Sequence, residues 1–469
     1  MPRAMRSKKL GEIVIRGGTV VDETGERRGD VLVRDGRIVA VEESIEAPAG
    51  ASVLDAGGCV VSPGLVDLHA HLREPGGEIA ETVESGSRAA ALGGYTAVVA
   101  MPNTEPAIDS AAVARDVLAL GDDAVAEIAV AGAITVGRRG ERLAPMAELA
   151  ELGVRLFTDD GRGVQNGGLL RRALEYASGL GVILAEHCED IQLAAGGHMN
   201  EGAWSSRLGI AGQPALAEEM MLARDIALVR LTGAPMHFLH LSTAGSVEMV
   251  RAAKAEGLAV TAEVTPHHLA ITDAALKNYD PLFKVNPPLR TLKDVAALRA
   301  GLGAGVIDAI ATDHAPHAPE RKEEPFDDAP SGMLGLETAL AVAYGALCAR
   351  AGSHSVPEAP DGWVPAGPGA TISLRDLLGL LSWKPARIAW LEGDGHEAGS
   401  RRGGQGGPIR PGAVANLAVF DPAAEWVVDT ARQASRSRNT PYGGRRLTGK
   451  VRHTVFRGEA VVVDGEAQR

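Results

Sequence analysis

The chain is 469 residues long, enough for one large α/β barrel with a smaller companion, so core size does not limit stability. Hydrophobic residues at 45% and charged residues at 23% are ordinary for a globular chain and unlike a disordered or membrane-embedded one, and 3% aromatic residues leave packing to aliphatic side chains. A net charge of −13 with no compensating basic stripe excludes nucleic acid and anionic membrane surfaces as partners, so an anionic substrate needs a local arginine.

The opening MPRAMRSKKLGEIVIRGG is basic but leads into no apolar core segment, and no apolar run approaches 18 residues; neither a signal peptide nor a membrane span is expected. From 12 to 61 the pattern is strand-like, with an Asp-Gly turn at Asp35-Gly36. Cys59, Cys188 and Cys348 are far apart and form no CxxC, which argues against a disulfide framework or a cysteine zinc site and fits a cytoplasmic protein. Short alternating strands return at ANLAVFDP (415–422), EWVVD (425–429) and KVRHTVFRGEAVVVDGE (450–466). Two strand-rich ends predict one small discontinuous β-sandwich domain, built from 1–61 and 411–469.

Between them, from 62 to 410, strand candidates alternate with helical patterns: GLVDLHAH (64–71), TAVVAMP (96–102), AEIAVAGAIT (126–135), GVRLFTDD (153–160), GVILAEHCE (181–189), PMHFLHLS (235–242), AVTAEVTP (259–266) and DAIATDHAP (308–316). The count is eight, and the class is α/β, a (β/α)8 TIM-type barrel. Active sites of such barrels collect at the C-terminal ends of the strands, where the polar clusters of this chain lie. The stretches 351–371 and 393–408 are rich in Gly and Pro and read as an excursion and a mobile loop.

Side chains alternate along a strand, so His69 and His71 share one face, where two imidazoles can hold a metal; alone, such a pair reads equally well as core histidines. His187, His240 and Asp313 end three further strands, and four imidazoles with a carboxylate suit Zn²⁺ and its neighbours. His237 lies nearer the start of its strand and reads as structural. Five such ligands exceed one tetrahedral zinc, so a second metal and a bridging ligand are expected. No lysine occurs between Lys9 and Lys254, which removes a carboxylated lysine as the bridge on strands one to six. Asp159 and Asp160 are the carboxylates placed to replace it, one of the two serving instead as a turn or helix cap.

The segments PGLVDLHAHLREPG, MPNTEP, FTDDG, AEHCE, TAEVTPHH, KVNPPLR, IATDHAPH, GLET and SRNTPYGG resemble, in this order, the signatures of class I dihydroorotases of the amidohydrolase superfamily, over about residues 60–450. The resemblance implies two Zn²⁺ per subunit, one on His69, His71 and Asp313, a second on His187 and His240, with Asp160 between them. It implies a bridging hydroxide that attacks a ring amide, with Asp313 as general base and acid, in the reversible cyclisation of N-carbamoyl-L-aspartate to L-dihydroorotate on the route to UMP. Arg73, two residues past the histidines, would take the substrate carboxylate bidentately, joined by Asn103 and His317. Asn286 and the backbone at Ser331 and Gly332 match segments that contact the ring, although the family often has a bulkier residue near Ser331. His267 and His268 read as supporting rather than ligating residues.

Two alternatives stand beside this expectation. Hydantoinases, dihydropyrimidinases and allantoinases share the metal chemistry, but the missing lysine and the presence of Arg73 disfavour them. A catalytically silent partner of aspartate transcarbamoylase would have lost ligands that are all present here. Family likeness implies a homodimer, and association with that transcarbamoylase is compatible with activity.

Overall fold

The computed structural model of the chain describes residues 11–348, 361–364, 372–393 and 403–469. All eight strand candidates form: β1 (Leu65–Ala70), β2 (Tyr95–Ala100), β3 (Glu127–Val130), β4 (Leu156–Phe157), β5 (Ile183–Glu186), β6 (Met236–Phe238), β7 (Val260–Val264) and β8 (Ala309–Ile310). They are short and nearly all buried on both faces, as parallel strands covered by helices must be. β1–β2–β3 form one parallel ladder and β4–β5–β6–β7–β8 another. Parallel bridges from Gly132 to Phe157 and from Ala70 to His314 join the edges of these ladders, so each strand has a parallel neighbour on both sides.

Helices return the chain between strands, and their ends carry ordinary capping chemistry. The first, Val83–Leu92, starts at Thr82, whose hydroxyl accepts from the Ser85 N–H in a reciprocal capping box. The helix Gly167–Leu180, between β4 and β5, is capped by Asn166 and stops at Gly181, which takes the left-handed φ of +65° that a side chain would resist. Aliphatic side chains of strands and helices merge into one large core, as the low aromatic content requires. Among the described residues no helix is long and apolar enough to cross a membrane.

The two strand-rich ends meet. Leu417–Phe420 pairs antiparallel with Val60–Pro63 inside a seven-stranded sheet that also holds Thr19–Asp22 and Arg446–Phe456. A four-stranded sheet made of Arg37–Glu42, Asp30–Arg34, Ile13–Arg16 and Ser52–Asp55 shares one apolar cluster with it, to which Ile15, Val33, Val61, Leu417, Val419 and Val455 all belong.

Most of 351–371, and 394–402, lie outside the described residues. The described part of the expected mobile loop is tightly packed. Gln405, fully buried, accepts from Thr96 Oγ1 at 2.6 Å and donates to Glu127 Oε2 at 2.9 Å, closing the N-terminal ends of β2 and β3. Glycine and proline content signalled a loop there, but the buried amide finds polar partners that hold it.

Candidate metal centre and carboxylate pocket

β1 sends Asp67, His69 and His71 to one face by simple alternation. Asp67 is a staple rather than a ligand: it accepts from the Thr312 N–H at 2.8 Å and from Thr312 Oγ1, tying β1 to the end of β8. That tie sets the next residue, Asp313, beside the histidines. Asp313 Oδ1 lies 3.0 Å from His71 Nε2 and 3.6 Å from His69 Nε2.

Asp160, at the end of β4, reaches all four imidazoles. Its Oδ1 is 3.4 Å from His69 Nε2, 3.6 Å from His187 Nδ1 and 3.6 Å from His240 Nε2, and its Oδ2 is 3.7 Å from His71 Nε2. Two groups with metal-holding geometry result, His69–His71–Asp160 and Asp160–His187–His240, with every member buried. Burial opposes ionisation of Asp160, but the ring nitrogens of His69, His187 and His240, 3.4–3.6 Å from its Oδ1, hold its carboxyl well below the usual range. His69 Nε2 and Asp160 Oδ1 are both buried and lack any hydrogen-bond partner. Unpaired buried lone pairs are costly, and their convergence fits a cation-binding centre.

The imidazoles are aimed from behind. A carboxylate only accepts, so His69 Nδ1–H donates to Glu263 Oε1 at 3.0 Å and leaves the Nε2 lone pair facing Asp160. His71 Nδ1–H donates to Asn103 Oδ1 at 2.8 Å, with the same result. His187 is turned the other way: its Nε2 faces Glu189 Oε2 at 3.3 Å, which leaves Nδ1 on the inner side, 3.0 Å from His240 Nε2 and 3.6 Å from Asp160 Oδ1. Glu189 also accepts from Gln213 Nε2 at 3.0 Å and Asn286 Nδ2 at 2.7 Å. Burial disfavours both supporting carboxylates, yet their histidine partners pull Glu263 and Glu189 down to about 2. Arg73, His240 and Asp313 all have left-handed backbone conformations, with φ of +62°, +28° and +46°, a strain that concentrates at sites of function.

Arg73 sits on the loop after β1, its Nε donating to the Pro316 carbonyl at 3.1 Å. Burial lowers its pKa to about 10, which still leaves it charged at neutral pH. His317 follows Pro316. Its Nε2–H donates to the Ser331 carbonyl at 2.8 Å, and burial with the charge of Arg73 pushes its pKa down to about 3, so the ring is neutral. Gly332 beside it has φ +133°, and a Cβ there would lie 2.7 Å from Ala315 Cβ and 2.9 Å from His317 Nε2. Only glycine fits.

A family model described as dihydro-orotase-like matches residues 58–246. A dihydroorotase of Anaeromyxobacter dehalogenans (strain 2CP-C) is 46% identical over 462 residues, covering 97% of this chain and 99% of its own length. A dihydroorotase of Streptomyces coelicolor is 45% identical over 97% of this chain and its own full length. The chain belongs to the dihydroorotase family. The fold is shared more widely: an L-hydantoinase from Arthrobacter aurescens superposes with a TM-score of 0.81 at 24% identity, each chain covered to 97%.

The residues expected of a dihydroorotase are brought together here, with some roles redistributed. Asn103 lies against His71, whose ring its carbonyl orients. Asn286 holds Glu189 through Nδ2, and its Oδ1 is buried without a partner. Asp159 opens a turn in which its carbonyl accepts from the Arg162 N–H at 3.2 Å, and its side chain accepts from Thr135 N at 3.0 Å and from Thr135 Oγ1, since adjacent residues point opposite ways and Asp160 takes the inner side. His237 is no ligand, but it touches the site, donating through Nε2 to Glu263 Oε2 at 3.0 Å. His268 is structural, bonded to Thr265 Oγ1 and the Pro287 carbonyl, whereas His267 Nε2 is buried and unpartnered. Glu263, Glu189 and Asn439 were not foreseen. For Glu263 a signal existed, a carboxylate followed by Val264 inside a strand that is buried almost throughout.

Proposed function

We propose that the chain is a dihydroorotase that closes N-carbamoyl-L-aspartate to L-dihydroorotate with loss of water, and hydrolyses it back, in pyrimidine biosynthesis. The observation that carries this choice is Arg73: a charged, largely buried guanidinium tied to the loop after β8, beside the metal centre, where a ring bearing a carboxylate would pair with it.

In this reading His69, His71 and Asp313 would hold one Zn²⁺ and His187 and His240 a second, with Asp160 common to both groups. The orphaned His69 Nε2 and Asp160 Oδ1 support it. Such cations would supply Lewis-acid polarisation of the ring carbonyl and a water ionised near neutral pH. Asp313 accepts the proton of the attacking water and returns it to the ring nitrogen as the C–N bond breaks. Arg73 takes the substrate carboxylate, with Asn103 and His317 beside it, while Asn286 and the backbone of Ser331 and Gly332 meet the ring. Asp160 stays ionised throughout, held so by its histidines.

The same reading makes residues 62–410 a closed (β/α)8 barrel and 1–61 with 411–469 one β-sandwich, supported by the cyclic strand pairing and by the shared apolar cluster of the two ends. It places a homodimer in the cytoplasm, able to associate with aspartate transcarbamoylase. The convergence of His69, His71, Asp160, His187 and His240, with Asp313 3.0 Å from His71 Nε2, weighs against a silent homologue. Metal content measured alongside turnover of dihydroorotate, dihydrouracil and allantoin is the decisive experiment. About two metals per chain with preference for dihydroorotate is expected; hydrolysis of dihydrouracil alone overturns the assignment.

A further inference from the structure

Arg73 and His317 come from loops after different strands, and a pocket split between loops works only if something fixes their separation. Their direct link is the bond from Arg73 Nε to the Pro316 carbonyl. Behind it lies a strap from the C-terminal part of the chain, residues 435–439, between the strands Leu417–Val427 and Arg446–Phe456. Ser435 Oγ donates to Glu81 Oε2, on the loop after β1, and the same carboxylate faces His314 Nε2 at 3.2 Å, after β8. Ser437 Oγ donates to the Ala80 carbonyl at 2.7 Å.

Asn439 ends this strap, and it is 2% exposed. Its Nδ2 donates to the Ala315 carbonyl at 2.9 Å and to the Gly332 carbonyl at 3.1 Å, while its Oδ1 accepts from the His317 backbone N–H at 3.1 Å. Its own carbonyl accepts from Leu334 N at 2.9 Å. A carboxamide is the side chain that offers two donors and an acceptor in this fork, and all of them are used on the two segments that flank the His317 ring. Lys322 Nζ adds bonds to the Pro330 and Gly332 carbonyls at 2.9 and 3.0 Å, so the 330–332 segment is anchored on its far side as well.

We propose that Asn439 is a positioning residue for substrate specificity: it locks His317 and the Ser331–Gly332 backbone at the spacing that, with Arg73, accepts a carboxylate. This rests on the placing of His317 in the carboxylate pocket proposed above. The strap touches none of the metal-holding side chains through Asn439, so its loss acts on substrate capture rather than on the metal centre.

The test uses the full-length, metal-loaded protein and steady-state hydrolysis of dihydroorotate by Asn439→Asp, Asn439→Ala, His317→Ala and the double variant His317→Ala/Asn439→Ala. Asn439→Asp keeps the shape but replaces the donors with a carboxylate facing two carbonyls. Both single Asn439 variants are expected to raise KM about tenfold, with kcat within about threefold and metal content unchanged. In the double variant KM is expected to match that of His317→Ala, because the two residues act through one contact. An unchanged KM in Asn439→Asp, multiplicative effects in the double variant, or a joint fall of kcat and metal content overturns the inference. Should Asn439→Ala fail to fold, the isosteric Asn439→Asp decides on the same split. A wild-type KM in His317→Ala overturns the reading of His317 and this inference together, whereas a raised KM there with a normal Asn439→Asp overturns the inference alone.

Discussion

His69 Nε2 and Asp160 Oδ1 face one another at 3.4 Å, both buried and neither with a hydrogen-bond partner. Asp159, one residue earlier, is fully satisfied by Thr135. Neighbouring aspartates should therefore respond oppositely to the same substitution. Asp160→Asn is expected to lose bound metal and all measurable turnover, because a neutral amide removes the anionic ligand common to both groups of imidazoles. Asp159→Asn should keep its metal and lose about 1–3 kcal/mol of stability. Metal analysis and thermal melts of the pair check this, and equal metal loss in both would refute the division of roles.

Arg73→Ala should cost about 2–4 kcal/mol in kcat/KM for dihydroorotate, since the substrate carboxylate would enter a buried site without its cation. Arg73→Lys keeps the charge but not the fork, and should fall between. An unchanged kcat/KM in Arg73→Ala would remove the guanidinium from substrate recognition.

Glu263 holds His69 and His237 at once, each at 3.0 Å. Glu263→Gln preserves its volume but forfeits the charge that orients His69, and metal affinity is expected to drop about 10–100-fold. Competition with a chelator of known affinity reads this directly. Retention equal to wild type would show that packing alone aims the imidazole.

Glu337 accepts from the Ala434 N–H at 2.9 Å, just ahead of the strap, and burial raises its pKa from 4.5 to about 7. Between those two values the folded chain keeps a proton that the unfolded chain has released, so this group's contribution to stability declines as pH rises from 4.5 to 7 and is level above. Glu337→Gln abolishes the titration. The variant should gain about 1–2 kcal/mol over wild type between pH 4.5 and pH 8, a value discounted for the partial exposure of the group. Denaturant melts of both proteins at the two pH values measure it; a difference independent of pH would count against the raised pKa.

Much of the centre was legible because strand alternation and the barrel's one-sided chemistry are local rules. His69 and His71 share a face for the same reason that Asp159 and Asp160 do not. The ends of β5, β6 and β8 then supplied His187, His240 and Asp313 without knowledge of any contact. What stayed hidden was whatever depends on a distant neighbour. Glu189 carries no local sign of its partners, because Gln213 and Asn286 reach it from 24 and 97 residues away. Asn439 is separated from Gly332 by 107 residues and from His317 by 122, and its sequence surroundings, SRNTPYGG, read only as a family signature. For His237, position along the strand pointed to a structural role but could not reveal the carboxylate it shares with His69.

The antiparallel pairing of Val60–Pro63 with Leu417–Phe420 also sets an order of events in the making of the molecule. At ribosomal speeds of about 5–20 residues per second, the N-terminal strand waits for some tens of seconds before its neighbour is synthesised. Throughout that interval its backbone edge is unpaired and open to strands of other nascent chains. The barrel strands are all translated within the wait, so the enzyme's catalytic half can assemble while its outer sheet is still missing an edge. Timing during synthesis, more than the strength of the finished core, is then where this architecture is vulnerable to aggregation.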